Sequence, residues 1–326
     1  MGRNVLAIDD DPASRLTVRA ICDTSPPALA RARAQRPDVA LATDDYRRVI
    51  DRSDVDVVAI YSPDHLHFEH IREALLASKH VVCTKPMVVS LDQAREVVRL
   101  VDQTGRRFLV GQTCRFVRRF MAAKRLYDDG DLGRPLFAEA HYVHDMRPVL
   151  DRTPWRHEAP QDVLYGGACH PIDLLRWFFA DVDEVFCYAS KSGLDPRYAV
   201  HDRHDNFLIN LRFASGLIAR VLAVFGLVEP PLPMLGLGVY GTGGSFVDDR
   251  VVFDRLLGKP ELHLRFRDEA GHGGEVLRYL RHFEECLLED RRPLVDEREG
   301  ARCIATCAAA WESIRTGLPA KVDNRF

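Results

Sequence analysis

Short, near-continuous apolar runs alternate with stretches of helical periodicity over roughly the first 115 of the 326 residues, and this alternation constrains the fold most. Leu16–Cys22 (LTVRAIC) reads as a strand ending at Asp23, and Ser25–Gln35 as a helix. Val55–Tyr61 (VDVVAIY) is a strand, and Asp64–Ser78 repeats apolar residues at 66, 68, 71, 74 and 75, as a helix does. His80–Cys83 is a short buried strand, Leu91–Gln103 a helix with Ser90 as N-cap, and Phe108–Val110 another buried run. Strands apolar on both faces need cover on both faces, so the pattern predicts a parallel sheet between helices. By pattern alone, Asn4–Ile8 reads as a short strand.

The pattern then changes. An amphipathic helix near 117–129 and the turn GDLG at 130–133 are followed by longer strand-like segments: Leu136–His144, Glu184–Ala189, Phe207–Phe213, Leu217–Phe225, Leu237–Tyr240 and Ser245–Asp248. Tight turns such as ASG at 214–216 and GTGG at 241–244 join several of them, which predicts a mostly antiparallel open sheet. One helix, Pro171–Phe179, is inserted, and two more, near 275–289 and 299–316, close the chain. The reading is a Rossmann-like α/β domain over 1–116 and an α+β domain over 117–326. Leu217–Phe225 is apolar on both faces, interrupted only by Arg220, so one face is expected to need a partner copy, in a homodimer or homotetramer.

Composition excludes several classes. The chain is 46% apolar and 29% charged, which is globular, and its net charge of −3 argues against nucleic acid or an anionic membrane as partner. Apolar runs such as Val221–Val228 are far too short to span a bilayer, and MGRNVLAIDDD does not read as a signal peptide. Eight cysteines without a CxxC pair suggest buried free thiols in a reducing cytoplasm. Cys303 and Cys307, the group His65, His67 and His70, and the pair His201 and His204 are considered as metal ligands and set aside, so no metal is expected.

Several segments, in order and spacing, resemble the Gfo/Idh/MocA family of nicotinamide-dependent oxidoreductases, which includes glucose–fructose oxidoreductase and inositol dehydrogenase. They are AICDTSPPALARARA, DVDVVAIYSPDHLHFEHIREALLASKHVVCTKPM, GQTCRF, GDLGRPLFAE, GGACHPIDLLRWF, VYGTGGSF and RRPLVDEREGARCIATCAAAWESIRTGLP. The resemblance covers essentially the whole chain and is strongest from Ser62-Pro63 through His67 to Lys85-Pro86. It implies hydride transfer between NAD and a hydroxyl-bearing carbon of a sugar, cyclitol or related polyol. Two further readings stand beside it: a glycosidase or lyase that uses NAD transiently, and a non-catalytic sugar-binding or partner subunit.

Residue chemistry supports particular roles. An acid closing the second strand of a dinucleotide fold accepts bonds from ribose hydroxyls and repels a 2′-phosphate, so Asp23 favours NAD over NADP. Ser62, Pro63 and His67 belong to the loop and helix that the resemblance implies for the cofactor, with Pro86 beside Lys85 and, more weakly, Arg115. Lys85 follows a buried strand, where its ammonium suits a substrate oxygen; the resemblance implies that it is catalytic. His170 resembles the family histidine that opens a helix, and an imidazole can take a hydroxyl proton. His144, Trp155 and Asp173 are further substrate-pocket candidates, Asp173 with a structural role implied by the resemblance.

The chain also departs from the family. Thr84 stands where Glu is usual beside the lysine, and Gly166 where many members carry an Asp that shares the acid–base work. Tyr165 is the candidate replacement. Gly2-Arg3 fits the last glycine of the family's GxGxxG turn, so the resemblance makes the opening residues a helix and leaves the first strand and two glycines missing. A sheet without that central strand is expected to leave its neighbours unpaired and to bind NAD weakly or not at all, and an upstream extension is expected to restore binding.

Overall fold

The computed structural model describes residues 2–159, 161–264 and 274–326. One compact unit comprises Met1–Val88, Asp92–Phe116 and Asp268–Ala301; the other comprises Val89–Leu91, Val117–Arg267 and Arg302–Phe326. The longer helices are α1 (Pro26–Gln35), α2 (His67–Leu76), α3 (Leu91–Thr104), α4 (Arg118–Asp128), α5 (Cys169–Phe179), α6 (Gly274–Leu288) and α7 (Glu297–Thr316).

The first unit contains two parallel sheets. Strands β1 (Ala20–Cys22) and β2 (Leu41–Thr43) form one, with Ala20 opposite Leu41; β3 (Val57–Ile60), β4 (His80–Thr84) and β5 (Phe108–Gly111) form the other, with Ile60 opposite Cys83 and Cys83 opposite Val110. Val81, Val82, Cys83, Phe108, Leu109 and Val110 have no exposed surface. Apolar stripes on α2 (Ile71, Ala74, Leu75) and α3 (Ala94, Val97, Val98, Val101) are buried as well, the arrangement that a parallel sheet requires. The place between β1 and β3, which the resemblance assigns to the fold's first strand, holds no described strand.

Several expectations need correction here. The strand expected over Leu16–Cys22 exists only from Ala20 to Cys22. Side chains claim the preceding backbone: Val18 N–H donates to Asp9 (2.8 Å) and Arg15 N–H to Glu284 (2.5 Å), so this stretch makes no ladder. Asn4–Ile8 is helical, as a turn of α-helix over Gly2–Val5 and a 3₁₀ turn over Leu6–Asp10. Cys22 is exposed rather than buried, because β1 pairs only with β2. The stretch 274–301 packs with the first unit, although the sequence reading assigns it to the second domain. The reason is tertiary: Val276, Tyr279, Leu280 and Phe283 are buried, Phe116 lies 6.0 Å from the Tyr279 ring, and Arg278 donates to the Phe116 carbonyl (2.7 Å). Val295 O accepts from Val110 N–H (2.9 Å), satisfying a ladder group of β5.

The second unit is built on a nine-stranded sheet. In chain order its strands are β6 (Pro135–Val143), β7 (Val182–Ser190), β8 (Asn206–Phe213), β9 (Ile218–Val224), β10 (Leu235–Gly241), β11 (Gly244–Val247), β12 (Arg250–Phe253), β13 (Leu262–His263) and β14 (Ala320–Lys321). They lie in the order β13-β12-β11-β10-β6-β9-β8-β7-β14, antiparallel except for the pair β6–β9. Alternation sorts the faces: Phe207, Ile209, Leu211, Ala219, Val221 and Ala223 are buried, whereas Leu208, Ile218 and Leu222 are exposed. On the covered face Phe179 of α5 meets Phe213 edge to face at 5.6 Å.

Candidate functional site

In the first unit, Tyr61–Pro63 and Thr84–Pro86 stand at the carboxyl ends of the adjacent parallel strands β3 and β4, where α/β sheets bind their ligands. Lys85 and Thr84 are half-buried there. A 3₁₀ turn, Asp64–Leu66, leads from Pro63 into α2 and places His67 inside the protein at 1% exposure. His67 Nδ1 lies 2.8 Å from the Pro86 carbonyl oxygen and Nε2 lies 2.9 Å from that of Ser62. Burial pushes this ring toward its neutral form, while the two carbonyls pull the other way. Both ring nitrogens lie within hydrogen-bond distance of backbone carbonyls, so His67 links the Ser62 and Pro86 loops. His70, missed by the sequence reading, lies with Nδ1 2.9 Å from Ser62 Oγ and packs on Tyr46 at 4.2 Å.

Asp23 is exposed at the end of β1, and its carboxylate accepts from Ser25 N–H at 2.8 Å. Tyr61 carries a buried hydroxyl with no partner among the described residues. These features suit the ribose and nicotinamide ends of a dinucleotide: an exposed acceptor, an unused donor and two loops at strand ends. Gly2 and Arg3 lie in the first helical turn, and their side chains fall outside the described ones. Arg115 is 3% exposed; its guanidinium donates to Glu299 (2.8 Å) and the Leu294 carbonyl (3.3 Å), so it anchors the first turn of α7 rather than presenting a free fork to a cofactor.

In the second unit, one turn of π-helix, Leu164–Ala168, runs directly into α5. Such turns re-aim the side chains that follow, and two glycines make room for this one. A Cβ at Gly167 would sit 2.4 Å from the Phe225 ring, and one at Gly166 would sit 2.4 Å from the Gln161 carboxamide. The departure at Gly166 therefore has a steric companion in Gln161, which accepts from Arg156 Nε at 3.1 Å and was not legible in the sequence.

His170, at the start of α5, is 5% exposed and meets Tyr142 edge to face at 5.5 Å. Tyr142 lies 4.9 Å from His144, and Phe225 packs on both at 5.2 and 5.5 Å. The structure thus joins two expected residues, His170 and His144, through two that were not anticipated. Trp155 is half-buried beneath the Arg156 guanidinium at 4.2 Å. Asp173 has no exposed surface, like most of α5.

Tyr165 belongs to different surroundings. It walls a cavity of about 450 Å³ with Ala308, Trp311 and Ile314 of α7. Burial, with Cys307 and Asp162 adding to it, raises its hydroxyl pKa far above neutrality, so the phenol keeps its proton.

Comparisons with known proteins bear on the family and the fold. Residues 1–112 match the family model described as the oxidoreductase family, NAD-binding Rossmann fold, and residues 120–247 match the GFO/IDH/MocA C-terminal domain. The chain is 26% identical over 324 residues to the oxidoreductase YrbE of Bacillus subtilis (strain 168), spanning 95% of this chain and 90% of YrbE. It is 26% identical over 285 residues to the 1,5-anhydro-D-fructose reductase of Ensifer adhaerens, spanning 83% and 81%. The fold matches an oxidoreductase from Agrobacterium radiobacter solved with NAD+, L-tartaric acid and magnesium, with a TM-score of 0.86 at 19% identity over 98% of this chain and 95% of that one.

Proposed function

The chain belongs to the Gfo/Idh/MocA family of oxidoreductases, and from that premise we propose that it transfers hydride between NAD and a hydroxyl-bearing carbon of a sugar, cyclitol or related polyol. One observation carries the reading: Ser62-Pro63 and Lys85-Pro86 occupy the carboxyl ends of neighbouring parallel strands. The reductase among the relatives supports the sugar class. Bound NAD supplies the hydride donor or acceptor. Asp23 accepts from the adenosine ribose hydroxyls and disfavours a 2′-phosphate, which makes NAD the preferred nucleotide over NADP. Lys85 donates from Nζ to the substrate hydroxyl oxygen and steadies the negative charge that grows there as the proton leaves. His170 takes that proton on its imidazole in oxidation and returns it in reduction.

The exposed face of the large sheet supports a homodimer or homotetramer. Register sets Tyr188 beside Leu208 and Leu208 beside Leu222, an apolar row, and Tyr188 is 63% exposed. Light scattering that finds a monomer at micromolar concentration counts against this. Eight free cysteines favour a reducing, cytoplasmic setting, and no described helix is long and apolar enough to cross a membrane.

The test of the reaction is Lys85→Ala, assayed with NAD and NADP over sugars and cyclitols. Turnover is expected to fall roughly 10²- to 10⁴-fold, with NADH affinity by fluorescence titration little changed. Turnover near wild type overturns the assignment, and a clear advantage for NADP overturns the role of Asp23.

A further inference from the structure

We infer that His67 is a positioning residue for the proposed reaction, a clamp that fixes the Lys85 loop against the Ser62-Pro63 loop. This rests on the reading that Lys85 acts on substrate. The two loops come from different strands, β3 and β4, and 23 residues lie between Ser62 and Pro86. Backbone pairing between β3 and β4 ends at Ile60 opposite Cys83. Beyond that point the loops depend on other bonds, and the His67 ring stands between them, with Nδ1 at Pro86 O (2.8 Å) and Nε2 at Ser62 O (2.9 Å). A neutral ring donates to one of these carbonyls and an imidazolium to both, so the bridge is complete only when the ring carries both protons.

The bridge is stiff for two reasons. The ring is 1% exposed and its contact with the Pro86 carbonyl is buried, so water does not compete there. It also rises from the first turn of α2, whose Ile71, Ala74 and Leu75 are fully buried, so its base cannot drift. His70, one turn along the same helix, holds the Ser62 hydroxyl at 2.9 Å. The first turn of α2 therefore grips Ser62 at both its carbonyl and its side chain, while His67 alone of these two also reaches Pro86. A lysine one residue before that anchored carbonyl has its backbone placed before substrate arrives, and placement within about 1 Å is worth up to roughly 10²-fold in rate.

The experiment uses the full chain with His67→Phe, which keeps ring volume and removes both nitrogens, and His67→Asn, which keeps one polar group and serves if the first variant does not fold. Hydrogen exchange is read at the amides of residues 61–66 and 84–88, followed by kcat, KM and the pH profile of kcat. The expected result is faster exchange in both loops, a 10- to 100-fold loss in kcat for His67→Phe, a displaced pH profile, and a smaller loss for His67→Asn. A role confined to stability lowers the folded fraction and leaves the pH profile in place. Unchanged exchange in both loops of a folded variant, or an unmoved pH profile, overturns the clamp. Exchange needs no turnover, so it separates this from the other failure: if Lys85→Ala stays active while His67→Phe loosens both loops, the clamp stands and the role given to Lys85 falls.

Discussion

Within the first unit, β3–β5 and β1–β2 are built to different standards. Every residue of β5 is buried, α3 buries Ala94, Val97, Val98, Leu100 and Val101, and α2 seals the sheet from its own apolar stripe. The other pair has a single buried residue in each strand, Ile21 and Thr43, and α1 buries none. Ala59 of β3 and Cys22 of β1 are exposed, on strands that in a covered parallel sheet would be enclosed. The lesson is that a parallel strand owes its stability to cover on both faces and pairing on both edges. The loops assigned to catalysis spring from the well-covered half, and the acid assigned to the adenosine ribose stands on the poorly covered one. Hydrogen exchange sharpens this most directly: amides of β4 and β5 are expected to exchange on the order of 10³-fold more slowly than those of β1 and β2. Equal protection across the two sheets breaks the comparison.

Side-chain truncation tests the same contrast with a smaller effect. Leu109 is fully buried in β5, whereas Leu41 in β2 is only half-buried. Leu109→Ala is expected to cost about 3–5 kcal/mol in denaturant unfolding, from lost transfer energy and a cavity that its neighbours cannot fill. Leu41→Ala is expected to cost less than about 1.5 kcal/mol, because part of that side chain never left water. Similar losses at both positions would mean that β1–β2 contributes to the core as fully as β5.

That difference was partly written in the sequence. LDQAREVVRLVDQT repeats large apolar residues at helical spacing, whereas PPALARARAQ offers Leu29 as its one large apolar side chain. Strands β3–β5 and helices α2, α3 and α5 were legible because their periodicity is long or their runs unbroken. Strand β2 was not, at three residues, nor were the short strands β12, β13 and β14. The start of Leu16–Cys22 misled because its apolar character suits a strand, while Asp9 takes the Val18 amide and Glu284, distant in sequence, takes that of Arg15 just before it. The attachment of α6 to the first unit rests on Phe116 meeting Tyr279, a contact that no local pattern announces. At the site, Ser62, Pro63 and Lys85 could be placed from strand ends alone. Gln161 and Phe225 could not, since the space that Gly166 and Gly167 leave open for them shows only once the chain is folded.

The well-covered half has its own weakness, and pH exposes it. Glu297 opens α7 at 3% exposure, and burial, with Asp296 adding like charge, raises its carboxyl pKa to about 7. Arg292 and Arg298 stand at 3.8 Å, too far for a hydrogen bond to offset that cost. The sign follows from proton uptake: below the ordinary glutamate range both folded and unfolded chains hold the proton, and no penalty arises. As pH rises toward 7, the unfolded chain releases its proton first, so folding loses stability across that window and the loss levels off above it. Glu297→Gln cannot ionise and escapes the loss. The variant is expected to be more stable than wild type by roughly 1–3 kcal/mol at pH 8 and to match it near pH 4.5. Urea unfolding at the two pH values measures both, and an offset of the same size at each would show that packing of the carboxyl, not its charge, sets the cost of burying it in the tighter half.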